Sequence, residues 1–156
     1  MKPMLTCTRS IEFDTAHRVY KHEGKCAHLH GHRYRVLISA DAPELDELGR
    51  VIDFSVLKQR VGGWADEVLD HGLLLHKDDP LVNALDGQRA RNNVRQKIKL
   101  MDCNPTAENI AKLFLLDVCP AVLQGTGVRV VLVRVYETPN CFADAHWPHE
   151  GIPHRG

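Results

Sequence analysis

A short histidine-rich segment that runs directly into a strand-like pattern constrains this chain most strongly. Residues 26–32 contain the thiol of Cys26 and the imidazoles of His28, His30 and His32. Every second side chain of residues 34–40 can face a core, which predicts a strand. If the extended geometry reaches back through the histidines, side chains two residues apart share a face. The sequence therefore predicts that His30 and His32 point the same way on a rigid strand.

These paired histidines favour a metal site. Neutral imidazole nitrogens suit zinc, and a strand fixes their separation. We expect a third ligand from His17, because it follows an alternating run over residues 5–14 that predicts a neighbouring strand. Three protein ligands with one open position are typical of catalytic zinc, whereas structural zinc is usually closed by four. Spacing alone leaves His28 open as a ligand, and leaves open that each histidine is an ordinary surface or core residue.

The size and charge of the chain favour one small domain that acts on a small molecule. Its 156 residues and 17.6 kDa suffice for an ordinary core. Twenty basic and twenty acidic side chains cancel, so neither nucleic acid nor a membrane surface is the expected partner. The N-terminus lacks an apolar signal region, and no apolar run is long enough to span a bilayer. Five cysteines without a CxxC pair fit a reducing cytoplasm.

Helical patterns follow in two places. Apolar residues recur every three or four positions from 54 to 68, with Asp53 as the predicted N-cap and a break or kink at Gly62-Gly63. A second helix is predicted to begin at Thr106 and to bend or end at Pro120. The first helix ends in Asp70 and His71, which are either an ordinary solvated helix end or a histidine whose protonation an acid tunes.

The strongest strand pattern covers residues 128–137. Val131, Val133, Val135 and Glu137 share a face in simple alternation, so a carboxylate ends an apolar row. Such a glutamate is either paired within the fold or available to a ligand with two adjacent N–H donors. The pattern leaves both readings open.

The segment from His76 to Asp102 is the least informative. We predict a short helix from Pro80, an exposed loop over 87–93 and a strand over 94–100 with one charged face. The basic side chains of that face, those of residues 95, 97 and 99, could meet a substrate phosphate, although a solvated edge is the favoured reading. From Ala143 onwards the chain lacks periodicity and is predicted to be an irregular, mobile end.

Six motifs in family order resemble the family of 6-pyruvoyl-tetrahydropterin and 6-carboxytetrahydropterin synthases. The resemblance is closer to the bacterial 6-carboxytetrahydropterin synthases of queuosine and 7-deazapurine biosynthesis. Each motif is weak alone, whereas all six together are highly specific. They lie at residues 13–18, 26–32, 51–54, 69–71, 104–109 and 135–138.

The resemblance implies an α+β fold, the T-fold (tunnelling fold). It is a four-stranded antiparallel sheet with two helices on one face, and it assembles into an oligomeric barrel. Family members form homohexamers, as dimers of trimers, with active sites at subunit interfaces. The chain would divide into one domain over 1–145, with a variable insertion at about 76–102, and a flexible tail over 146–156.

The resemblance also implies the residues of an active site. It assigns three histidines as zinc ligands and does not include His28 among them. A triad of a catalytic base and an acid–histidine pair acts beside it, and two further residues bind the pterin. The zinc ligands are His17, His30 and His32, the base is Cys26, its partners are Asp70 and His71, and the pterin-binding residues are Glu137 and Thr106.

The implied reaction converts 7,8-dihydroneopterin triphosphate to 6-carboxytetrahydropterin, with release of triphosphate and acetaldehyde. The rival enzyme is 6-pyruvoyl-tetrahydropterin synthase, which shares this substrate and keeps the carbon side chain intact. A rival of another class is a noncatalytic zinc-binding assembly protein, against which the presence of Cys26, Asp70 and His71 argues. A zinc hydrolase of the metallo-lactamase type is disfavoured, because no Asp-His follows His32.

Overall fold

The computed structural model describes residues 3–92 and 95–147. It is an α+β fold built on a six-stranded sheet in the order β4-β3-β1-β2-β5-β6. The strands are β1 (Thr6–His17), β2 (His30–Asp41), β3 (Gly72–His76), β4 (Ile98–Met101), β5 (Arg129–Thr138) and β6 (Cys141–His146). The helices are α1 (Phe54–Leu57), α2 (Gly63–Val68), α3 (Pro80–Asn92), α4 (Ala107–Leu113) and α5 (Cys119–Val122).

The predicted four-stranded antiparallel sheet is present as the unit β1-β2-β5-β6. Two short strands extend it at the edge of β1, since β3 pairs with β1 and β4 pairs with β3 in parallel. The sequence analysis missed β3, because Leu73, Leu74 and Leu75 are all buried and show no alternation. Parallel pairing requires a crossover, and the helices α1 to α3 provide the two crossovers.

One face of the sheet and the helices share a single apolar core. Alternate residues of β1 and β2, such as Phe13 and Tyr34, pack against helix residues such as Leu57 and Phe114. The other face of these strands carries exposed side chains such as Arg35. The helices therefore cover the sheet face on which the alternation continues toward the histidines at the ends of β1 and β2.

Both predicted N-caps are confirmed. The Asp53 carboxylate accepts a hydrogen bond from the backbone N–H of Ser55, and Thr106 Oγ1 accepts one from that of Asn109. The break expected at Gly62-Gly63 is a π-helical turn, Lys58–Gly62, which joins α1 to α2. A second π-helical turn, Phe114–Val118, joins α4 to α5, so the helix continues through Pro120 and ends at Val122.

The structure corrects three local predictions. The helix from Pro80 continues to Asn92, through most of the loop expected over 87–93. The apolar row of β5 changes phase at Val131, where a bulge against β2 lets Val130 enter the core in its place. The predicted irregular end from Ala143 is wrong up to residue 146, because these residues pair with β5 as β6.

The strand predicted over 94–100 is present as β4 at Ile98–Met101. The part of the proposed tail from residue 148 onwards lies outside the described residues. Trp147 is described, and its indole Nε1–H donates to the carbonyl of Val130 at 3.0 Å. No helix in the described ranges is long and apolar enough to cross a membrane.

Candidate active site

Strand register brings the three predicted histidines together. In the β1–β2 hairpin His17 lies opposite His30, and Thr15 lies opposite His32. Residues that face each other across an antiparallel pair project from the same side of the sheet. One nitrogen atom from each of the three imidazoles can be chosen so that all lie within 4.8 Å of one another. The cluster therefore sits where the core face of the sheet reaches its end.

Backbone carbonyls fix the orientation of two of these rings. His17 Nδ1 donates to the carbonyl of Pro105 at 2.7 Å, and His30 Nδ1 donates to that of His28 at 2.7 Å. The hydroxyl of Tyr34 lies 3.1 Å from His17 Nδ1. Because both Nδ1 atoms carry the proton, both Nε2 atoms present lone pairs to the cluster. Second contacts of this kind are typical of metal-binding histidines.

Among the described residues, the Nε2 atoms of the three histidines face one another without a hydrogen-bond donor between them. His17 Nε2 and His30 Nε2 are 3.1 Å apart, so two acceptors face each other. His32 Nε2 is buried and has no hydrogen-bond partner in the described part of the chain. Burial lowers the pKa of His17 to about 4, and burial also lowers the pKa of His32. Neutral, converging nitrogens fit a metal ion, so the cluster can hold one.

A cavity of about 730 Å³ opens beside the histidines. Its floor is the cluster, and one wall comes from the loop that joins β1 to β2. The other wall comes from the start of α4 and from the β5–β6 hairpin. The residues that line it are His17, Val19, His22, Lys25, Cys26, His28, His30, His32, Thr106, Ala107, Glu108, Glu137, Thr138, Cys141, Phe142 and Ala143. Of the eight predicted site residues, six line this cavity.

Cys26 lies in a short 3-10 turn, Lys25–Ala27, and its thiol side chain is partly buried. Its backbone carbonyl accepts a hydrogen bond from Val19 N at 2.8 Å, which ties the turn to the end of β1. The turn thereby places a thiol on the cavity wall next to the imidazole cluster. A second cysteine, Cys141, lines the same cavity from β6.

A break in strand pairing directs Glu137 into the cavity. Tyr136 pairs with Phe142 and Thr138 pairs with Cys141, so Glu137 is an extra residue without a partner on β6. Its Oε1 lies 3.8 Å from His17 Nε2. Burial, followed by the nearby charge of Glu108, raises the pKa of Glu137. A partly buried carboxylate at this position can accept two parallel N–H bonds from a ligand.

Asp70 and His71 form the predicted pair but do not line the same cavity. His71 Nδ1 donates to Asp70 Oδ2 at 2.6 Å, and Asp70 Oδ1 accepts from Asp14 N at 2.9 Å. That backbone hydrogen bond is the main cause of the lowered pKa of Asp70, followed by the hydrogen bond from His71. The imidazole is 81% exposed and borders a shallow surface depression that includes His32 and Arg33. Within one chain, His71 and Cys26 therefore line different pockets, and His32 borders both.

Some cavity residues were not assigned to the site from sequence. Lys25 and His22 line the loop wall, and Glu108 lines the wall with Glu137. The only sequence signal for Lys25 is its position next to Cys26. Glu108 lies in the first turn of α4, where an acidic side chain is common because it stabilises a helix start. His28 lines the cavity, yet it lies outside the three-histidine cluster.

Comparison with known proteins identifies the class. Residues 6–147 match the family described as 6-pyruvoyl tetrahydropterin synthase. The chain belongs to this family. The fold agrees, since a solved structure of an uncharacterized protein from Wolinella succinogenes superposes with a TM-score of 0.79 at 26% identity and covers 93% of this chain and 99% of that one. Caenorhabditis elegans 6-pyruvoyl tetrahydropterin synthase superposes with a TM-score of 0.66 at 21% identity, covering 94% and 97% of the two chains. The predicted T-fold is confirmed.

Two more similar relatives carry a narrower name. A protein of Rickettsia conorii is 45% identical over 141 residues, and one of Rickettsia bellii is 42% identical over the same length. Both alignments cover 90% of this chain and 99% of the relative. Both relatives are named 6-carboxy-5,6,7,8-tetrahydropterin synthase.

Proposed function

We propose that the chain is a zinc-dependent lyase, a 6-carboxy-5,6,7,8-tetrahydropterin synthase of queuosine and 7-deazapurine biosynthesis in the cytoplasm. It converts 7,8-dihydroneopterin triphosphate and one water to 6-carboxytetrahydropterin, triphosphate and acetaldehyde. The carrying observation is the single cavity in which a three-histidine cluster, a thiol and a partly buried carboxylate face one another. The names of the Rickettsia relatives support this branch of the family.

The three histidines are the proposed zinc ligands. Zinc bound by His17, His30 and His32 would supply a Lewis acid that polarises a substrate oxygen and acidifies the neighbouring carbon. The hydrogen bonds to Pro105 and His28 hold the rings of His17 and His30 in the required tautomer. His32 Nε2, buried without a partner in the described chain, supplies the third nitrogen.

Cys26 and Glu137 have separate tasks in this proposal. The Cys26 thiolate removes a proton from the substrate side chain, because its turn places sulfur on the cavity wall beside the cluster. Glu137 accepts two N–H bonds from the guanidine-like edge of the pterin and so fixes the ring. Thr106, the N-cap of α4, lines the same wall as Glu137. In this proposal it contacts the pterin ring beside Glu137.

Asp70 and His71 are proposed to act in the site of a neighbouring subunit. The pair is preformed, its imidazole is exposed, and neither residue lines the Cys26 cavity of its own chain. In a homohexamer built as a dimer of trimers, this surface would meet the cavity of another copy. His71 would then transfer a proton to or from the substrate, while Asp70 orients its ring through Nδ1.

Product analysis tests the reaction. Zinc-loaded protein is given 7,8-dihydroneopterin triphosphate, and triphosphate and acetaldehyde are measured together. Equal amounts of both support the proposal. Triphosphate without acetaldehyde would assign the chain to the pyruvoyl-forming branch, which the family description and the nematode structure name. Neither product from folded, zinc-loaded protein would favour a noncatalytic zinc-binding assembly protein.

The two cavity thiols provide a matched test of the base. Cys26→Ala should abolish turnover and leave the zinc content unchanged. Cys141→Ala removes a thiol from the same cavity and should retain turnover. Equal losses in both variants would contradict the role of Cys26.

Mixing of inactive variants tests the shared site. Cys26→Ala and His71→Ala should each be inactive alone. Hexamers mixed from equal amounts of the two variants should recover about a quarter of normal activity. Half of their cavities keep Cys26, and half of those meet a neighbouring subunit that keeps His71. Recovery of no activity in mixed hexamers, verified by native mass spectrometry, would refute a site that takes its thiol and its acid–histidine pair from different subunits.

A further inference from the structure

The charged side chains of the cavity are segregated by wall. Glu108 and Glu137 lie on the wall formed by α4 and the β5–β6 hairpin, and the charge of Glu108 helps to raise the pKa of Glu137. A polyphosphate carries several negative charges, so this wall repels it. Glu108 also occupies the first turn of α4, where a helix start would otherwise attract an anion. A polyphosphate bound in this cavity must therefore lie against another wall.

Lys25 is the cation that the opposite wall offers. It is the one lysine or arginine among the described residues that line the cavity. Across the described ranges its ammonium group has neither a carboxylate partner within 4.0 Å nor a hydrogen bond. Other nearby cations are engaged, since Arg18 pairs with Asp79 and Arg33 pairs with Asp14 and Glu12. Lys25 is therefore free to neutralise a ligand.

The loop that carries Lys25 is held in a defined shape. Val19 N donates to the Cys26 carbonyl at 2.8 Å, and His28 N donates to that of Lys25 at 3.0 Å. Gly24 N donates to His22 Nδ1 at 2.8 Å, so the neutral His22 ring carries its proton on Nε2. An ammonium group and an imidazole N–H, both donors to phosphate oxygen, therefore border the same wall.

The basic strand considered from sequence does not serve this cavity. Arg95, Lys97 and Lys99 are absent from the residues that line it. Lys97 Nζ instead donates to the carbonyls of Asp66 and Asp70, at the end of α2. Among the described residues, the loop wall is therefore the part of the cavity where a polyphosphate would meet an unpaired cation, Lys25, close to the three-histidine cluster.

We propose that Lys25 and His22 form a polyphosphate subsite on the loop wall of the cavity. This inference rests on the proposed function and orients its substrate, with the pterin ring at Glu137 and the triphosphate at Lys25. Triphosphate leaves by elimination: the carbon next to the ester carbon loses a proton, and the electron pair of that carbon–hydrogen bond forms a carbon–carbon double bond. The electron pair of the broken carbon–oxygen bond leaves with the triphosphate. The Lys25 ammonium and His22 Nε2–H then stabilise the added negative charge on the leaving oxygen.

Inorganic triphosphate is the probe, and its binding to zinc-loaded protein is measured by calorimetry. Lys25→Gln should weaken binding about tenfold, the effect of losing one charge-assisted hydrogen bond, and Lys25→Arg should restore it. His22→Gln should weaken binding less. Lys21→Gln is the matched control, because this lysine of the same loop stacks on Tyr20 and does not line the cavity. Zinc content after each titration excludes chelation of the ion.

Neopterin without phosphate reports on the other half of the cavity. Its affinity should be the same in wild type and Lys25→Gln. Unchanged triphosphate affinity in Lys25→Gln, or equal losses for neopterin and triphosphate, would overturn the subsite. Because binding is read without turnover, a failed subsite with normal products would leave the proposed function intact. Lysine-dependent triphosphate binding without products would support an anion subsite and reject the proposed reaction.

Discussion

Lys97 Nζ donates a hydrogen bond to the backbone carbonyl of Asp70 at 2.7 Å and a second one to Asp66 at 3.1 Å. Lys97 precedes β4, so the variable segment contributes a cation to the end of α2. The contact supports the turn in which His71 adopts the left-handed backbone conformation, with φ of 56°. A lysine distant in sequence thus holds the Asp70–His71 pair in place.

Replacement of Lys97 should loosen this turn. Lys97→Met keeps the apolar stem and removes both hydrogen bonds, which should cost about 1 kcal/mol of stability. We expect faster hydrogen exchange of His71 N, which donates to Asp14 O at 2.7 Å, and a fall in kcat larger than the change in KM. Lys99→Met, on β4, should change neither. Unaltered exchange at His71 in Lys97→Met would contradict the supporting role.

Metal binding should depend on the three-histidine cluster and not on histidines in general. His32→Ala removes the buried nitrogen without a partner in the described chain and should abolish stoichiometric zinc binding. His28→Ala removes a histidine of the same cavity and should retain zinc. Both are measured by atomic emission in a chain that ends at Trp147, so that histidines beyond it do not contribute. Retained stoichiometric zinc in His32→Ala would refute the ligand set.

The Arg18–Asp79 pair should make stability depend on pH. Arg18 Nε donates to Asp79 Oδ2 at 2.6 Å, and the carboxylate is fully buried. The hydrogen bond from Arg18 is the main cause of a pKa below the ordinary value of 3.8 for Asp79. The folded state therefore favours the charged form, and the resulting stabilisation is present above the unfolded pKa and lost as pH falls through the folded pKa.

Asp79→Asn isolates this effect, because asparagine still accepts the hydrogen bond from Leu81 N that begins α3. At pH 7 it should lower the free energy of unfolding by about 1–3 kcal/mol. In denaturant titrations, the difference from wild type should stay constant above about pH 5 and shrink as pH falls below the ordinary pKa value of 3.8. Asp86→Asn, an exposed aspartate of α3, serves as the control. A difference that does not vary with pH would show that the lost charge is not responsible.

Thiol reactivity should follow burial. Burial raises the pKa of Cys119 to about 12, and its side chain lies in the core. At pH 8 iodoacetamide should modify exposed Cys141 rapidly and leave Cys119 unmodified, since only the thiolate reacts. Peptide mapping by mass spectrometry distinguishes the two. Denaturant should make both react, and comparable labelling of both in folded protein would contradict the buried position of Cys119.

The sequence was most informative where one physical pattern dominated. Alternation predicted β1 and β2, and because paired strands place facing residues on one side, it also predicted the convergence of His17, His30 and His32. Asp53 and Thr106 were predictable as N-caps, because capping depends on a local side chain and the backbone next to it. Such features need no knowledge of distant contacts.

Features set by distant contacts were not predictable. The buried run at Leu73 lacks alternation, and its assignment to a parallel strand depends on β1 and the crossover helices. The phase change at Val131 depends on pairing with β2, and the β6 strand depends on β5. The motifs suggested that Asp70, His71 and Cys26 act together, yet no local pattern reveals that His71 and Cys26 line different pockets of one chain.

The β1–β2 hairpin carries all three imidazoles, whereas Glu137 arrives on β5 near the other end of the chain. During translation the hairpin leaves the ribosome well before Glu137 is synthesised. A nascent chain thus presents all three imidazoles, which can hold a metal ion, before the part of the cavity that contains Glu137 is synthesised. The bound ion would then act as a template that holds the two strands in register while the later strands are added. The metal-binding cluster and the carboxylate of the cavity wall thus come from separate, distant parts of the chain.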